Sequence, residues 1–513
     1  MKRATSMIVS TGILFICGLS PLGCETDHAE LASQDEQQRT ETQMKTIIAY
    51  LDSEEYRTQT TFAEHVVNTY RAVRDRNPSA WELQTWQALH DELDLPRSAV
   101  LARVLRGAEA ETSWDSCRRF VESRTAAAFQ KPAPAADVVS RLMTSPRETL
   151  LAKMAEAAPT RLSTVKDSVA DTPRAAVSGE RYQTYFGFLH AHTGYSDGEG
   201  TPQAAYAYAR DVAGLDFFAI TDHGEMLDWW PWEQEWRNIK AAADSADDPG
   251  AFVALWGFEW SNPLLGHVNV LNTSDFTDAL SDFWLGTVYD WIAARPAAFA
   301  RFNHPGDYDD IGQEFYHMNL YPEVVDQMVG METWNGNSSF DTYFYDGGWE
   351  SDDAFIDEGN RLGWRLGALG AEDNHDENWG AKTGFATAVL ATSLTRDAII
   401  SAYRARRFYA TEDRDLFLDF RCQGYPMGAE LTGVTRTFQI SGTDTGADIF
   451  SEVRLYRNGL LVTTVPVSGD EFSVEISDDD THPAYYYIIV KQTDDSDGNG
   501  RNDEAISSPI WID

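Results

Sequence analysis

The chain has 513 residues, 43% of them apolar and 12% aromatic, which is enough for several packed cores and excludes a disordered or collagen-like polymer. Its 41 Lys and Arg against 81 Asp and Glu leave a formal charge of −40. Such a field repels phosphate backbones and anionic headgroups, so nucleic acid is excluded as a bulk partner; a small anionic ester stays admissible where metal ions reverse the local potential.

Lys2 and Arg3, the apolar stretch from Met7 to Leu19 and the exit Pro21-Leu22-Gly23-Cys24 read as an export signal over residues 1–23. This end resembles a bacterial lipoprotein signal, although Pro21 stands where that family prefers Leu. The resemblance implies lipidation at Cys24, a periplasmic or cell-surface location, and contact with the membrane only through that anchor. No run reaches the ~20 apolar residues of a membrane span. With Cys17 removed and Cys24 acylated, Cys117 and Cys422 remain, either as one disulfide or as two buried thiols. No Cys-rich zinc motif exists, so any metal must be held by His and carboxylates.

Residues 24–157 are expected to form a helical domain. Phe62, Val66, Tyr70 and Val73 recur at helical spacing, as do Leu83, Trp86, His90 and Leu93 after the Asn77-Pro78-Ser79 break, and His90 reads as a residue of that stripe. The region is similar to short helical repeats of secreted bacterial proteins, which implies a spacer or docking role. Residues 158–181, rich in Ala, Ser, Thr and Pro, read as a linker.

Residues 182–412 change texture. Seven short apolar runs, Phe186 to Leu189, Leu215 to Ile220, Phe252 to Phe258, His267 to Leu271, Phe299 to Phe302, Val329 to Thr333 and Leu366 to Leu369, suggest buried parallel strands in an α/β layout. A helix is predicted from Thr395 to Arg407. The tail, 413–513, alternates apolar and polar residues; Asn458-Gly459 between Val453/Leu455 and Leu461/Thr463 predicts a hairpin, and the whole reads as a β-sandwich.

Seven of the 11 His lie between 190 and 375, and six of them sit at or near the end of an apolar run. His190 and His192 end the first, His223 the second and Glu259 the third; His267 opens the fourth, His304 follows the fifth, and Asp373 with His375 follows the seventh. The C-terminal ends of parallel strands share one rim, so such residues can converge there. Residues at i and i+2 of an extended segment face the same way, which lets His190/His192 and Asp373/His375 each aim two groups into one cavity. Imidazoles suit divalent transition metals and carboxylates can bridge them.

Phe186 to Gly200, FGFLHAHTGYSDGEG, with the following GLDFFAITDHGE and the later NHP and EDNH segments, resembles the polymerase and histidinol phosphatase (PHP) superfamily of metallohydrolases over about residues 186–410. Arg-Arg-Phe-Tyr-Ala-Thr and Ser-Ser-Pro-Ile-Trp-Ile are similar to its exported branch, which appends a β-sandwich. The resemblance implies a multidomain chain built on a distorted (β/α)7 TIM-like barrel, with two or three divalent metals (Zn, Mn or Fe) in a trinuclear site. The first ion would take His190, His192, Glu259 and Asp373; the second Glu259, His267 and His304; the third Asp197, His223 and His375. It also implies hydrolysis by metal-activated hydroxide with no separate protein nucleophile, most simply of a small-molecule phosphate ester.

Asp222 reads as an orienting partner of the ligands. Arg301, Asn335, Arg406 and Arg407 are candidates to hold an anionic substrate, the last two equally to cap a helix. Trp229, Trp230, Trp232 and Trp236 either wall the pocket or simply pack, and His317 reads as a surface residue. Asp495, Asp497, Asn499, Gly500 and Asp503 follow a D-x-D-x-N-G-x-x-D spacing that suits either a calcium loop or a solvated acidic turn. The absence of a Walker loop argues against an NTPase. A carbamate or aryl-ester hydrolase with the same metals, or a non-catalytic surface binding protein, are the alternatives.

Overall fold

The computed structural model describes residues 181–513 apart from 228–232, 309–313, 337–342, 351, 447 and 496–499, together with parts of 51–100. The export signal, Cys24, Cys117, the linker up to residue 180, Trp229, Trp230, Trp232, Asp497 and Asn499 lie outside the described residues. No helix among the described residues is long and apolar enough to cross a membrane.

The described N-terminal part holds α1 (Glu54–Gln59) and α2 (Phe62–Arg74). Thr61 and Glu64 form a capping box at the start of α2: the Thr61 hydroxyl accepts from the Glu64 amide at 3.2 Å and the Glu64 carboxylate accepts from the Thr61 amide at 2.9 Å. Phe62, Val66, Val67 and Tyr70 bury one stripe with Leu83, Trp86 and Val100, and His90 stacks on Phe62 at 3.8 Å. Met226 and Leu280 from the following region pack against this cluster.

All seven apolar runs are strands: β1 (Gln183–Phe188), β2 (Phe217–Ile220), β3 (Val253–Asn262), β4 (Gly266–Leu271), β5 (Phe299–Phe302), β6 (Met328–Asn335) and β7 (Gly367–Ala371). Two more, β8 (Ala386–Ala391) and β9 (Phe408–Thr411), precede the tail. Helices α3 (Pro202–Asp211), α4 (Gln234–Ala246), α5 (Leu285–Ala293), α6 (Phe355–Arg361) and α7 (Arg396–Arg404) occupy the intervals. Pro202 opens α3 behind a Thr201 N-cap whose hydroxyl accepts from the Ala204 amide at 3.2 Å, and Ala205, Tyr206 and Ala209 are its buried face. Thr395 caps α7 in the same way, so the predicted helix 395–407 is met by Arg396–Arg404.

These strands lie in one large curled sheet in the order β9-β8-β1-β2-β3-β4-β5-β6-β7. Its far edge bends back on itself: a parallel bridge joins Ala191 to Asn374, and the Thr387 hydroxyl of β8 donates to the Gly370 carbonyl of β7 at 2.9 Å. The expected alternation of seven strands and seven helices is met only in part. The pairs β1–β2, β2–β3, β5–β6 and β6–β7 are parallel, but β3–β4 and β4–β5 are antiparallel, since only the turn 263–265 separates β3 from β4 and no crossover helix fits there. Gly266 closes that turn at φ +86°, and a Cβ there would lie 2.5 Å from the Phe315 ring.

The tail folds as two packed sheets. β10 (Leu416–Cys422), β11 (Tyr425–Pro426), β13 (Thr437–Asp444) and β16 (Glu471–Ser477) form the four-stranded one. β12 (Glu430–Leu431), β14 (Phe450–Arg457), β15 (Leu460–Pro466), β17 (Ala484–Gln492), β18 (Glu504–Ser507) and β19 (Ile510–Ile512) form the other. The β14–β15 hairpin turns on Asn458 (φ 50°) and Gly459 (φ 81°), both left-handed as a two-residue turn of this kind requires. Because β18 pairs with β9, the second sheet continues into the curled one without a break.

A buried carboxyl also crosses this junction. Asp357 of α6 accepts from Tyr485 Oη at 3.0 Å and Tyr487 Oη at 2.9 Å of β17. Burial pushes it up to about 6, although both phenols pull the other way. A folded-state pKa above the unfolded one means its stabilising contribution is complete below about pH 4 and is lost as pH rises through 6. Asp357→Asn is therefore expected to raise the melting temperature at pH 8, by the equivalent of roughly 1–3 kcal/mol, and to leave it nearly unchanged at pH 4.5. Equal destabilisation at both pH values would show that the carboxyl is not the source.

Candidate metal centre

The antiparallel β4 decides which residues meet. Its first residues, Gly266 and His267, pair with Asn262 and Ser261 at the end of β3, so the start of β4 lies on the same rim as the C-terminal ends of β1, β2, β3 and β5. His267 opens its run for that reason. The loops after β1, β2, β5 and β7 bring His190, His192, Asp197, His223, His304, Asp373 and His375 to the same cup.

Glu259 stands at its centre, 1% exposed. Its Oε1 lies 3.2 Å from His190 Nε2, 3.3 Å from His267 Nδ1 and 3.4 Å from His304 Nε2. Its Oε2 lies 3.0 Å from His223 Nδ1 and 3.4 Å from His192 Nε2. Asp373 Oδ1 is 3.1 Å from both His190 Nε2 and His192 Nε2. Nearer the mouth, Asp197 lies 3.3 Å from His375 Nε2, 3.4 Å from His223 Nε2 and 3.7 Å from His192 Nδ1. Two of these residues, His304 (φ 24°) and Asp373 (φ 47°), hold a left-handed backbone, a conformation costing on the order of 1–3 kcal/mol that packing has to impose.

Four groups of ligand atoms are close enough to hold an ion: His190/His192/Asp373, His190/Glu259/His304, His223/Glu259/His267 and His192/Asp197/His223/His375. The first and last correspond to two expected groupings, with Glu259 beside the first and His192 added to the last. The expected Glu259/His267/His304 set appears instead as two groups sharing Glu259. The donor chemistry fits a metal. Burial pulls the His267 imidazole down to about 4, against the pull of Glu259, which keeps it neutral, and neither of its ring nitrogens makes a hydrogen bond. Burial alone would raise the Glu259 and Asp373 carboxyls, but the surrounding imidazoles, His190 foremost, hold both well below the usual range.

A second layer of polar groups fixes the first. Glu332 on β6, which no motif signalled, is fully buried; its Oε1 lies 2.8 Å from His190 Nδ1 and pairs with the Arg301 guanidinium, while its Oε2 accepts from the His304 amide at 2.8 Å and Asn335 Nδ2 at 2.9 Å. Asn303 Nδ2 donates to Glu259 Oε1 at 2.6 Å, and Ser261 Oγ lies against His223 Nδ1. Asp222 accepts from the Thr193 amide and hydroxyl at 2.7 and 2.8 Å and from Ser196 Oγ at 2.6 Å, and Ser196 Oγ in turn sits 3.2 Å from His192 Nδ1. Asp222 thus acts on His192 through Ser196 rather than by touching the ring. Gly194-Tyr195-Ser196-Asp197-Gly198 also matches the Gly-x-Ser-x-Gly pattern of serine hydrolases, but here it is a turn that ends four residues before Pro202 opens α3, not a strand-to-helix elbow, and the Ser196 hydroxyl is directed at Asp222.

The proposed anion-binding residues divide. Arg301 is 1% exposed, engaged with Glu332, and burial pulls it down to about 10; Asn335 is buried between Glu332 and Asp373. Arg406 donates to the carbonyls of Arg365, Arg404, Val325 and Met328, and Arg407 lies over the Tyr182 ring beside Leu390. Met328 starts β6 and Leu390 pairs with Thr184 near the start of β1, so both arginines lie at the opposite rim. Trp236 of α4 packs on Phe258 and Phe276, and His317 is half-buried against Glu350 and Trp349. Of the acidic tail motif, Asp495 accepts from the Gly500 amide at 3.1 Å and Asp503 is buried. Cys422 is buried and unbridged.

No family model matches the chain. It is 24% identical over 374 residues to an uncharacterized protein of Chlamydia pneumoniae, covering 64% of this chain and 57% of that one. An uncharacterized protein of Chlamydia muridarum is 25% identical over 377 residues, with the same coverage. The chain therefore spans a little over half the length of these curated relatives. A crystal structure from Bacteroides vulgatus ATCC 8482, described as a two-domain protein containing predicted PHP-like metal-dependent phosphoesterase, superimposes with a TM-score of 0.34 at 18% identity, covering 63% of this chain and 95% of that one.

The Arg301–Glu332 pair gives a direct check on this layer. Glu332→Ala leaves a buried guanidinium unpaired and is expected to cost about 3–5 kcal/mol in denaturant unfolding. Replacing both partners, Arg301→Met with Glu332→Gln, is expected to recover at least half of that loss; equal or greater loss in the double variant would show that the two do not act as a pair.

Proposed function

We propose that this chain is a metal-dependent hydrolase of the PHP type, acting on a phosphate ester at the cup around Glu259. The observation that carries the reading is the placement of one buried carboxylate within 3.4 Å of five imidazoles drawn from four separate segments, with Asp373 and Asp197 completing the donor set. The resemblance of residues 186–410 to that superfamily supports it, and so does a curled sheet that can be read as a distorted barrel. The lipoprotein-like start supports placing the protein at the cell envelope.

Divalent ions held by His190, His192, Asp197, His223, Glu259, His267, His304, Asp373 and His375 would supply a water acidified towards pH 7 and Lewis acidity for the ester oxygens. The chain's own part is preorganisation. Glu332 and Arg301 orient His190, Ser261 orients His223, and Asp222 with Ser196 holds His192, so the donors need no rearrangement when charge develops. Burial of Glu259 and His190 excludes bulk water from the floor of the cup, where electrostatic interactions are correspondingly stronger.

The test is turnover of p-nitrophenyl phosphate, bis-p-nitrophenyl phosphate and p-nitrophenyl carboxylate esters by full-length protein loaded with Mn, Zn or Fe, its metal content measured by elemental analysis. Hydrolysis of a phosphate substrate is expected, together with a loss on the order of 10³-fold in kcat/KM for Glu259→Gln, corresponding to several kcal/mol of transition-state stabilisation. Activity confined to carboxylate esters would move the reading to an aryl-ester or carbamate hydrolase. No turnover despite full loading would favour a binding protein.

A further inference from the structure

Four consecutive residues between β5 and β6 hold a left-handed backbone with no glycine among them: Phe315 (φ 45°), Tyr316 (φ 50°), His317 (φ 48°) and Met318 (φ 55°). L-residues avoid this conformation because Cβ approaches the following carbonyl oxygen, and a run of it persists only where the surroundings impose it. Here they do. The Phe315 amide donates to the Leu265 carbonyl at 2.9 Å, the Trp364 indole donates to the Met318 carbonyl at 2.8 Å, and the His317 ring lies against Glu350 and Trp349.

This turn brings two buried side chains to the segments that carry His267 and His304. Glu314, fully buried, leads into it; its Oε2 accepts from the amide of Gly306, two residues after His304, at 2.7 Å and from Trp349 Nε1 at 3.2 Å. The Phe315 ring stands edge-on to Phe302, two residues before His304, at 4.8 Å, and so close to Gly266 that a Cβ there would lie 2.5 Å from it. His190, His192 and His223 have Glu332, Ser196 and Ser261 to orient them. Among the described residues neither ring nitrogen of His267 makes a hydrogen bond. Its ring is therefore placed by the backbone that carries it and by the Tyr308 ring stacked on it at 4.2 Å.

We propose that Glu314, fixed by this left-handed turn, is a positioning residue of the metal centre: it fastens the 304–306 segment directly and, through the adjoining Phe315, the turn at Gly266, so that His304 and His267 converge on Glu259. The inference rests on the metal-dependent reading given above. A carboxylate suits the task because one of its oxygens accepts from two N–H donors at once. Water satisfies the exposed Gly306 amide equally well but fastens it to nothing. The two imidazoles concerned belong to the groups His190/Glu259/His304 and His223/Glu259/His267, whereas His192/Asp197/His223/His375 and His190/His192/Asp373 contain neither. Loss of Glu314 should therefore loosen part of the donor set and spare the rest.

Calorimetric titration of chelator-stripped full-length protein with Mn²⁺, and in parallel with Zn²⁺, tests this, with thermal unfolding of the metal-free form as the second readout. Glu314→Ala is expected to weaken, by about 10- to 100-fold, only the binding steps that His267→Ala or His304→Ala also weakens, and to leave at least one step at wild-type affinity. Glu314→Asp keeps the carboxyl but withdraws it from the Gly306 amide by one methylene; it is expected to show the same pattern more mildly, and serves if Glu314→Ala does not fold. Unchanged affinity at every step, or equal weakening of all steps together with a lowered metal-free melting temperature, would reduce Glu314 to a stabiliser of the fold and overturn the proposal. A wild type that binds neither ion would instead remove the metal-dependent reading, and this inference with it.

Discussion

A carboxylate removed from water needs compensation, and the architecture around Glu259 supplies it. Five imidazoles surround its two oxygens, Asn303 donates to one of them, and the rim of the sheet is shaped so that these groups arrive from four strands, β1, β2, β4 and β5. Removing an unpaired charge from water costs several kcal/mol even after relaxation. Burial keeps His267 neutral, so it brings no charge to Glu259. A pocket that gathers this many imidazole nitrogens and carboxylate oxygens suits divalent cations.

Reversal of a single strand is what completes the donor set. In an all-parallel sheet the start of β4 would face the opposite rim and His267 would be lost to the site. Pairing β4 antiparallel to both neighbours keeps β5 parallel to β3, so His304 still follows a C-terminal end while His267 lies at an N-terminal one. The cost appears in the backbone, where Gly266 takes a left-handed turn and His304 and Asp373 are held left-handed without the freedom of glycine. The sandwich buttresses this arrangement through continuous pairing, β8–β9–β18, and through the Asp357–Tyr485–Tyr487 contact at α6.

Much of this was legible in the sequence. Short apolar runs located all seven strands, because strands buried on both faces read as continuous apolar stretches. The Asn458-Gly459 turn and the Thr395 cap are local and were equally plain. The direction of β4 was not, since a run of residues carries no sign of which way its strand points; the short 263–265 connection was the available clue. Glu332 lay hidden inside the sixth run, where a buried acid has no spacing pattern, and only its contact with His190 and Arg301 gives it meaning. Arg406 and Arg407 sit beside a helix end in sequence, which suggested either an anion site or a cap, and their partners at the far rim favour the packing role.

The fate of the arginines bears on how the cup would recognise a substrate. Arg301 is the guanidinium that the structure places against the donor set, and it is buried, engaged by Glu332 and within 3.4 Å of His190 Nδ1. An Arg so committed steadies a ligand and leaves no fork for a phosphate. The described side chains at the mouth, Asp197 and Asp307, are acidic and partly exposed, and they add repulsion for any anion approaching from outside. On the proposed reading, attraction of an anionic ester would fall to the cations held by the cup, whose charge would have to exceed that of the acids holding them. A protein with a formal charge of −40 can concentrate an anion in this way only over the short distance at which the ions dominate the field. Affinity for the ester should accordingly track how fully the donor set is loaded, and vary little with the charge of the distant surface.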